Sequence, residues 1–169
     1  MKIKLVDNFF SEYAFNEIKK IFWVNIGEHR EENNFGWYFA DNIADKKDQS
    51  DFFFFHSFYK NKKVNSYYYD IMIKPVIDKL KIKNLIRAKA NLYTRKIKRI
   101  KTAFHTDYYY PHKVCLVNIN TNNGYTEFEN GKKVYSKENQ AILFDGLIKH
   151  RSVAQTDGKV RINLNINYD

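Results

Sequence analysis

From Ser11 to Val24 the apolar residues Ala14, Phe15, Ile18, Ile21 and Phe22 recur at intervals of three and four, which places them on one face of an α-helix. Ser11 stands just ahead of them, where a hydroxyl can accept a hydrogen bond from a free N–H of the first turn. The pattern predicts an amphipathic helix. A second stripe, Tyr68, Ile71, Met72, Val76 and Leu80, predicts another helix within 65–80. Pro75 lies inside it and has no N–H to donate, so the helix must kink or restart there. The polar stretch from Asp41 to Asp51 reads as a loop. The aromatic run Phe52 to Phe55 fits a buried strand and a helical turn equally well.

Beyond Leu80 the period changes. Short runs of Ile, Val, Leu, Tyr and Thr are separated by turn-forming groups at Asn122-Asn123-Gly124, Asn130-Gly131, Asp145-Gly146 and Asp157-Gly158. The second half is therefore expected to be all β, antiparallel strands closing into a sandwich or barrel with the two helices on one outer face. No repeat and no Pro- or Gly-rich linker divides the chain, and 169 residues can bury one core. Residues 1–169 read as one domain, with a helical buttress over 1–83 and a β core over 84–169.

The formal charge of +10 would ordinarily suggest an anionic partner. Lys, Asn, Ile, Phe and Tyr are all abundant, however, and all have codons rich in A and T, so the lysine excess says little about substrate. Cys115 is the sole cysteine, which excludes an intramolecular disulfide, and its run Val114-Cys115-Leu116-Val117 suits a small buried hydrophobe. The first residues lack a signal-peptide core, and no run of about eighteen apolar residues occurs. The expectation is a soluble, cytoplasmic protein without a membrane partner.

Candidate chemistry lies in the second half. His105 and Asp107 are two apart, so on a strand both side chains leave the same face and can close on one metal ion. Two imidazoles and one carboxylate on a single face of an octahedral ion leave three positions open for a bidentate cosubstrate and oxygen. A His-x-Asp pair alone is a weak signal, and its context strengthens it. After the pair come Asn122-Asn-Gly-Tyr-Thr126, expected as a hairpin, Glu127-Phe-Glu-Asn-Gly131, the apolar strand Ala141-Ile-Leu-Phe144 with Asp145-Gly146, then Lys149-His150-Arg-Ser152 and Arg161. Arg161, Asn163, Asn165 and Asn167 then alternate with Ile162, Leu164, Ile166 and Tyr168. Such alternation by itself describes a strand with one solvated face.

This succession, over roughly 85–169, resembles the Fe(II)/2-oxoglutarate-dependent dioxygenases. The resemblance implies a double-stranded β-helix (a cupin-like jelly roll), with the two N-terminal helices packed on its major sheet. It assigns Fe(II) to His105, Asp107 and His150, and the distal carboxylate of 2-oxoglutarate to Arg161. A guanidinium suits that role, because it binds a carboxylate through two parallel bonds and keeps its proton. Asn91-Leu92-Tyr93 and Arg161-Ile162-Asn163 are similar to AlkB-like dioxygenases, which adds Asn91, Tyr93 and Asn163 to the cosubstrate site; Tyr93 could instead simply pack in the sheet. The AlkB-like repair enzymes carry a second Arg where this chain has Asn167. The layout looks more like the short prolyl 4-hydroxylase-like and phage-type single-domain members, with Gly124-Tyr125-Thr126 standing for their Gly-Gly-x-Thr element.

The implied reaction is hydroxylation of a C–H bond using O2, with release of succinate and CO2, on a peptidyl (prolyl-type) or small-molecule substrate. Two alternatives are an AlkB-like nucleic-acid demethylase and a non-catalytic cupin-like metal-binding module. Nine basic and no acidic residues between Lys81 and Lys101 motivate the first. Arg95 to Arg99 in that segment reads as the exposed tip of a hairpin. Tyr108-Tyr109-Tyr110, directly after Asp107, either line the pocket as a lid or pack on the sheet. His29, His56 and His112 are expected to be non-ligands: His29 solvated, His56 in an aromatic layer, His112 in a loop where it could approach substrate.

Overall fold

The computed structural model describes residues 3–23, 35–42 and 51–169. Its elements in order are β1 (Lys4–Val6), α1 (Glu12–Phe22), β2 (Tyr38–Ala40), β3 (Phe53–Lys60), β4 (Lys63–Val64), α2 (Tyr69–Met72), α3 (Lys74–Leu80), β5 (Leu85–Thr94), β6 (Lys113–Asn118), β7 (Asn122–Phe128), β8 (Lys133–Ser136), β9 (Gln140–Asp145), β10 (His150–Val153) and β11 (Val160–Tyr168).

Helix α1 begins where expected, with the Ser11 hydroxyl accepting from the Ala14 N–H at 3.3 Å. Glu12 in its first turn and Lys19 and Lys20 in its last complement the helix dipole. The second helical stripe restarts at the proline: α2 ends at Met72, and α3 begins at Lys74 with Pro75 in its first turn.

The strands form two antiparallel sheets facing each other. The larger runs β1-β9-β6-β11-β5-β3-β2, with β4 beside β3, and the smaller runs β10-β7-β8. This is a double-stranded β-helix, the expected fold class. Period-two alternation divides the apolar residues between two cores. Ile162, Leu164 and Ile166 of β11, Ala88 and Ala90 of β5, and Cys115 and Val117 of β6 pack outward with Phe15, Ile18, Met72 and Val76 of the helices. Val114 and Leu116 of β6 point the other way and meet Phe128, Val134, Ile142 and Phe144 between the sheets. Cys115 is fully buried, and burial pushes its thiol pKa well up.

The structure corrects several expectations. Residues 1–83 are a helical buttress only in part, because they also supply β1 to β4 to the larger sheet. The aromatic run Phe52 to Phe55 resolves as strand, since β3 starts at Phe53. Asn122-Asn123-Gly124 is no hairpin turn. It opens β7, where the chain passes from the larger sheet to the smaller. Arg95 to Arg99 is no hairpin tip either, because β5 and β6 both pair with β11 and not with each other. Nor is that segment merely solvated: Lys96 pairs with Asp51, and Arg99 donates to the Asn123 carbonyl at 3.0 Å. Of the loop expected at 41–51, residues 43–50 lie outside the described residues, as does His29. Among the described residues no helix is long and apolar enough to cross a membrane.

Candidate metal and cosubstrate site

The polar face of β11 is not solvated. Arg161, Asn163, Asn165 and Asn167 are all buried and point between the sheets. Opposite them on β5 stand Tyr93, Asn91, Lys89 and Arg87, in register rung by rung. Together with His105, Asp107 and His150 most of this ladder lines one cavity of about 160 Å³, closer to a small metabolite than to a drug-sized ligand.

The two histidines are brought together by backbone pairing. His105 lies in the long segment between β5 and β6, and its N–H and C=O bond those of His150 at 3.0 and 2.9 Å. Their ring centroids are 4.7 Å apart. Asp107 follows at a bend rather than on the regular strand expected. One ligand atom each from His105, Asp107 and His150 lie within 4.8 Å of one another. His150 Nδ1 donates to the Ile148 carbonyl at 3.2 Å, and His105 Nδ1 to that of Ala103 at 3.3 Å. Each ring therefore keeps Nε2 free as a ligating nitrogen.

Electrostatics prepares the same set. Burial, reinforced by His105, lowers the His150 pKa to about 4. Burial lowers that of His105 as well, so both imidazoles are neutral at physiological pH, the form that binds metal. Burial alone would raise the Asp107 carboxyl, but the Arg87 guanidinium, with His150 and Lys89, more than offsets it and holds Asp107 well below the usual carboxylate range. Arg87 pairs with Asp107 at 2.8 Å, and Asn167 and Asn165 donate to it at 2.8 and 3.2 Å. Two neutral imidazoles and one fixed carboxylate fit Fe(II).

Arg161 is 2 % exposed, and no carboxylate pairs with it among the described residues. Neutral oxygens cradle it: Ser136 Oγ at 2.8 Å, Ser152 Oγ at 2.9 Å, Thr126 Oγ1 at 3.1 Å and the Tyr125 carbonyl at 3.2 Å. Gly124 opens this cradle, because a Cβ there would stand 3.1 Å from Arg161 Cδ. The Gly124-Tyr125-Thr126 triplet thus holds the arginine rather than turning a hairpin. A buried guanidinium without a counter-ion fits an anionic ligand. Tyr93 lies beside it, its ring 5.6 Å from the guanidinium carbon, stacked on Phe53. Asn91 donates to Asn163 at 2.9 Å, and both line the cavity.

The remaining candidates lie elsewhere. His56 is in the aromatic layer, stacked on Phe35 and bonded to the Gly36 carbonyl and Ser66 Oγ. His112 does not line the cavity; it is buried beneath Gly146, with Nδ1 donating to the Tyr110 carbonyl at 2.8 Å. None of Tyr108, Tyr109 and Tyr110 lines the cavity. Tyr108 packs on Arg87 instead, and Tyr109 is solvated.

Arg87, Lys89 and the Asp107-binding pair Asn165 and Asn167 were not singled out as site residues from the sequence. Arg87 and Lys89 are spaced by two from Asn91 and Tyr93, so on one strand all four side chains leave the same face.

No family model matches the sequence, and no curated relative matches it. Solved structures do match the fold. An oxidoreductase of the 2OG-Fe(II) oxygenase family from Burkholderia pseudomallei superposes with a TM-score of 0.70 at 9% identity, covering 99% of this chain and 84% of that one. A prolyl hydroxylase from Trichoplax adhaerens, in complex with a hypoxia inducible factor peptide fragment, gives 0.66 at 11% identity over 99% and 83%. A Pseudomonas putida prolyl-4-hydroxylase gives 0.63 at 10% identity over 98% and 91%. The fold is that of the 2-oxoglutarate/Fe(II) oxygenases.

Proposed function

We propose that the protein is an Fe(II)- and 2-oxoglutarate-dependent oxygenase that hydroxylates a C–H bond. The observation that carries this reading is one cavity holding both a His-Asp-His cluster and a buried, counter-ion-free arginine. Bound there, iron and 2-oxoglutarate supply the oxidising chemistry, with O2 consumed and succinate and CO2 released.

The chain's own residues hold and orient. His105 and His150 offer neutral nitrogens, and Asp107 the one negative charge, fixed by Arg87, Asn165 and Asn167. Arg161 takes the distal carboxylate of 2-oxoglutarate. Tyr93, Asn91 and Asn163, which line the same cavity, hydrogen-bond the cosubstrate in this reading. The substrate is proposed to be a peptide or small molecule; the prolyl hydroxylases among the fold neighbours support a peptidyl one.

Anaerobic titration with Fe(II) and 2-oxoglutarate tests the reading. The chelate should give a visible metal-to-ligand charge-transfer band, and added O2 should yield succinate. His105→Ala and Asp107→Ala should abolish both signals; wild-type succinate production by either variant at matched iron loading would remove that residue from the site. A protein that takes up iron yet shows neither band nor succinate would be a binding module of the cupin kind.

A further inference from the structure

Among the described residues, Lys89 is the cation of this cavity with neither an ion pair nor a hydrogen-bond acceptor. Arg87 is paired with Asp107 at 2.8 Å, and Arg151 with Glu127 at 2.7 Å. Arg161 has its cradle of hydroxyl and carbonyl oxygens and, in the proposed reaction, the cosubstrate. The Lys89 ammonium meets no carboxylate and no hydrogen-bond acceptor among the described residues; its one close contact is the face of the Phe53 ring, 5.0 Å from the centroid. Burial, then the neighbouring Arg87 charge, pushes its pKa down to about 7, with the Asp107 charge acting in the opposite direction.

Its place on the ladder separates it from Arg161. Tyr93 and Arg161 form one rung, Asn91 and Asn163 the next, and Lys89 and Asn165 the one after. Lys89 is therefore four residues along β5 from Tyr93, about 13 Å at the usual strand rise, away from the Arg161 end of the cavity. It stands instead at the metal end, where its rung partner Asn165 donates to Asp107. An apolar side chain would line this wall equally well as packing. An ammonium there acts when an anion meets it.

We infer that Lys89 anchors the primary substrate through an acidic group, a carboxylate or a phosphate, and so sets the substrate class as an anion. The inference rests on the oxygenase reading for the word substrate, while the anion site itself stands on the cavity alone. The chemistry is a charge-assisted bond from Nζ to an anionic oxygen, which leaves the rest of the molecule over the metal.

Calorimetric titration of the protein loaded anaerobically with Fe(II) and 2-oxoglutarate, using acetate and methyl phosphate as probes, decides it. One anion should bind the wild type, and Lys89→Met should weaken that binding by about tenfold or more. Lys89→Arg should stay within about threefold of the wild type, and 2-oxoglutarate affinity should be unchanged in both variants. Preference for acetate would identify carboxylate substrates, and preference for methyl phosphate phosphorylated ones. Equal anion affinity in wild type and Lys89→Met, or no binding of either probe, would overturn the inference. So would loss of 2-oxoglutarate affinity in Lys89→Met, which would make Lys89 part of the cosubstrate cradle. The same titration on metal-free protein keeps the two readings apart: Lys89-dependent anion binding without iron or 2-oxoglutarate uptake would leave the anion site standing and the oxygenase reading refuted.

Discussion

Asp107 is the residue on which the site's two charge systems meet. Without metal its carboxylate is neutralised by Arg87, which in turn donates through Nε to Asn167 at 3.1 Å. Removing one partner of a buried ion pair leaves the other charge stranded, at a cost of about 3–5 kcal/mol. A divalent ion on His105, Asp107 and His150 would offset that cost from the opposite side. Arg87→Met should therefore destabilise the metal-free protein by about 3 kcal/mol, and added Mn(II) should stabilise the variant more than the wild type. Denaturant unfolding of both proteins with and without Mn(II) measures this; an equal metal increment would show that Arg87 does not act on the ligand. Arg161 carries the complementary prediction. Arg161→Lys keeps a charge but loses the forked donors, so the 2-oxoglutarate KM should rise about tenfold with a smaller change in kcat. Unchanged 2-oxoglutarate dependence would take Arg161 out of the cosubstrate site.

At the scale of elements, β11 does most to position the site. Its apolar face closes the helix-side core, and its polar face supplies the arginine and two asparagines of the cavity, together with Asn167, which donates to Asp107. The alternation on this strand was legible in the sequence, and so were the His-Asp-His set and Arg161, because the motif order fixed which face turned inward. Pairing was much less legible. Turn-forming dipeptides mark where the chain reverses, and they do not say whether it re-enters the same sheet. Asn130-Gly131 joins β7 to β8 within the smaller sheet, whereas Asp145-Gly146 carries the chain from β9 in one sheet to β10 in the other. Arg87 was hidden for a related reason: among so many basic neighbours, only its register with Asn167 and its reach to Asp107 single it out. The Asp145-Gly146 corner can be tested directly. A Cβ at Gly146 would lie 2.1 Å from the His112 ring, and the Gly146 N–H donates to the His112 carbonyl at 2.8 Å. Gly146→Ala should cost about 2–3 kcal/mol by overpacking, and His112→Ala in the same chain should recover part of the loss. Additive losses in the double-mutant cycle would mean that the two residues are not in contact.

Taken as a whole, the molecule keeps several imidazoles neutral in its interior, and this couples its stability to acid. Burial lowers the pKa of His150 to about 4, and those of His105 and His56 in the same direction. In the unfolded chain each titrates near 6.5. Between these values the unfolded state binds protons that the folded state does not. Stability is therefore fully present above about pH 6.5 and falls as the pH drops toward about 4. Lys89 does not contribute in this window: with its folded pKa near 7 it is largely protonated in both states below that pH. Asp107, held far below the usual range, loses its contribution only at still lower pH. Denaturant unfolding of the metal-free protein at pH 7, 5.5 and 4.5 should show a loss on the order of 3 kcal/mol from His150, with His105 and His56 adding to it. His150→Asn should flatten the slope; a slope unchanged in that variant would mean that His150 is solvated and not part of a buried site. Divalent metal should steepen the wild-type dependence, since an ion on Nε2 excludes the proton and is itself released only when the imidazoles are forced to protonate.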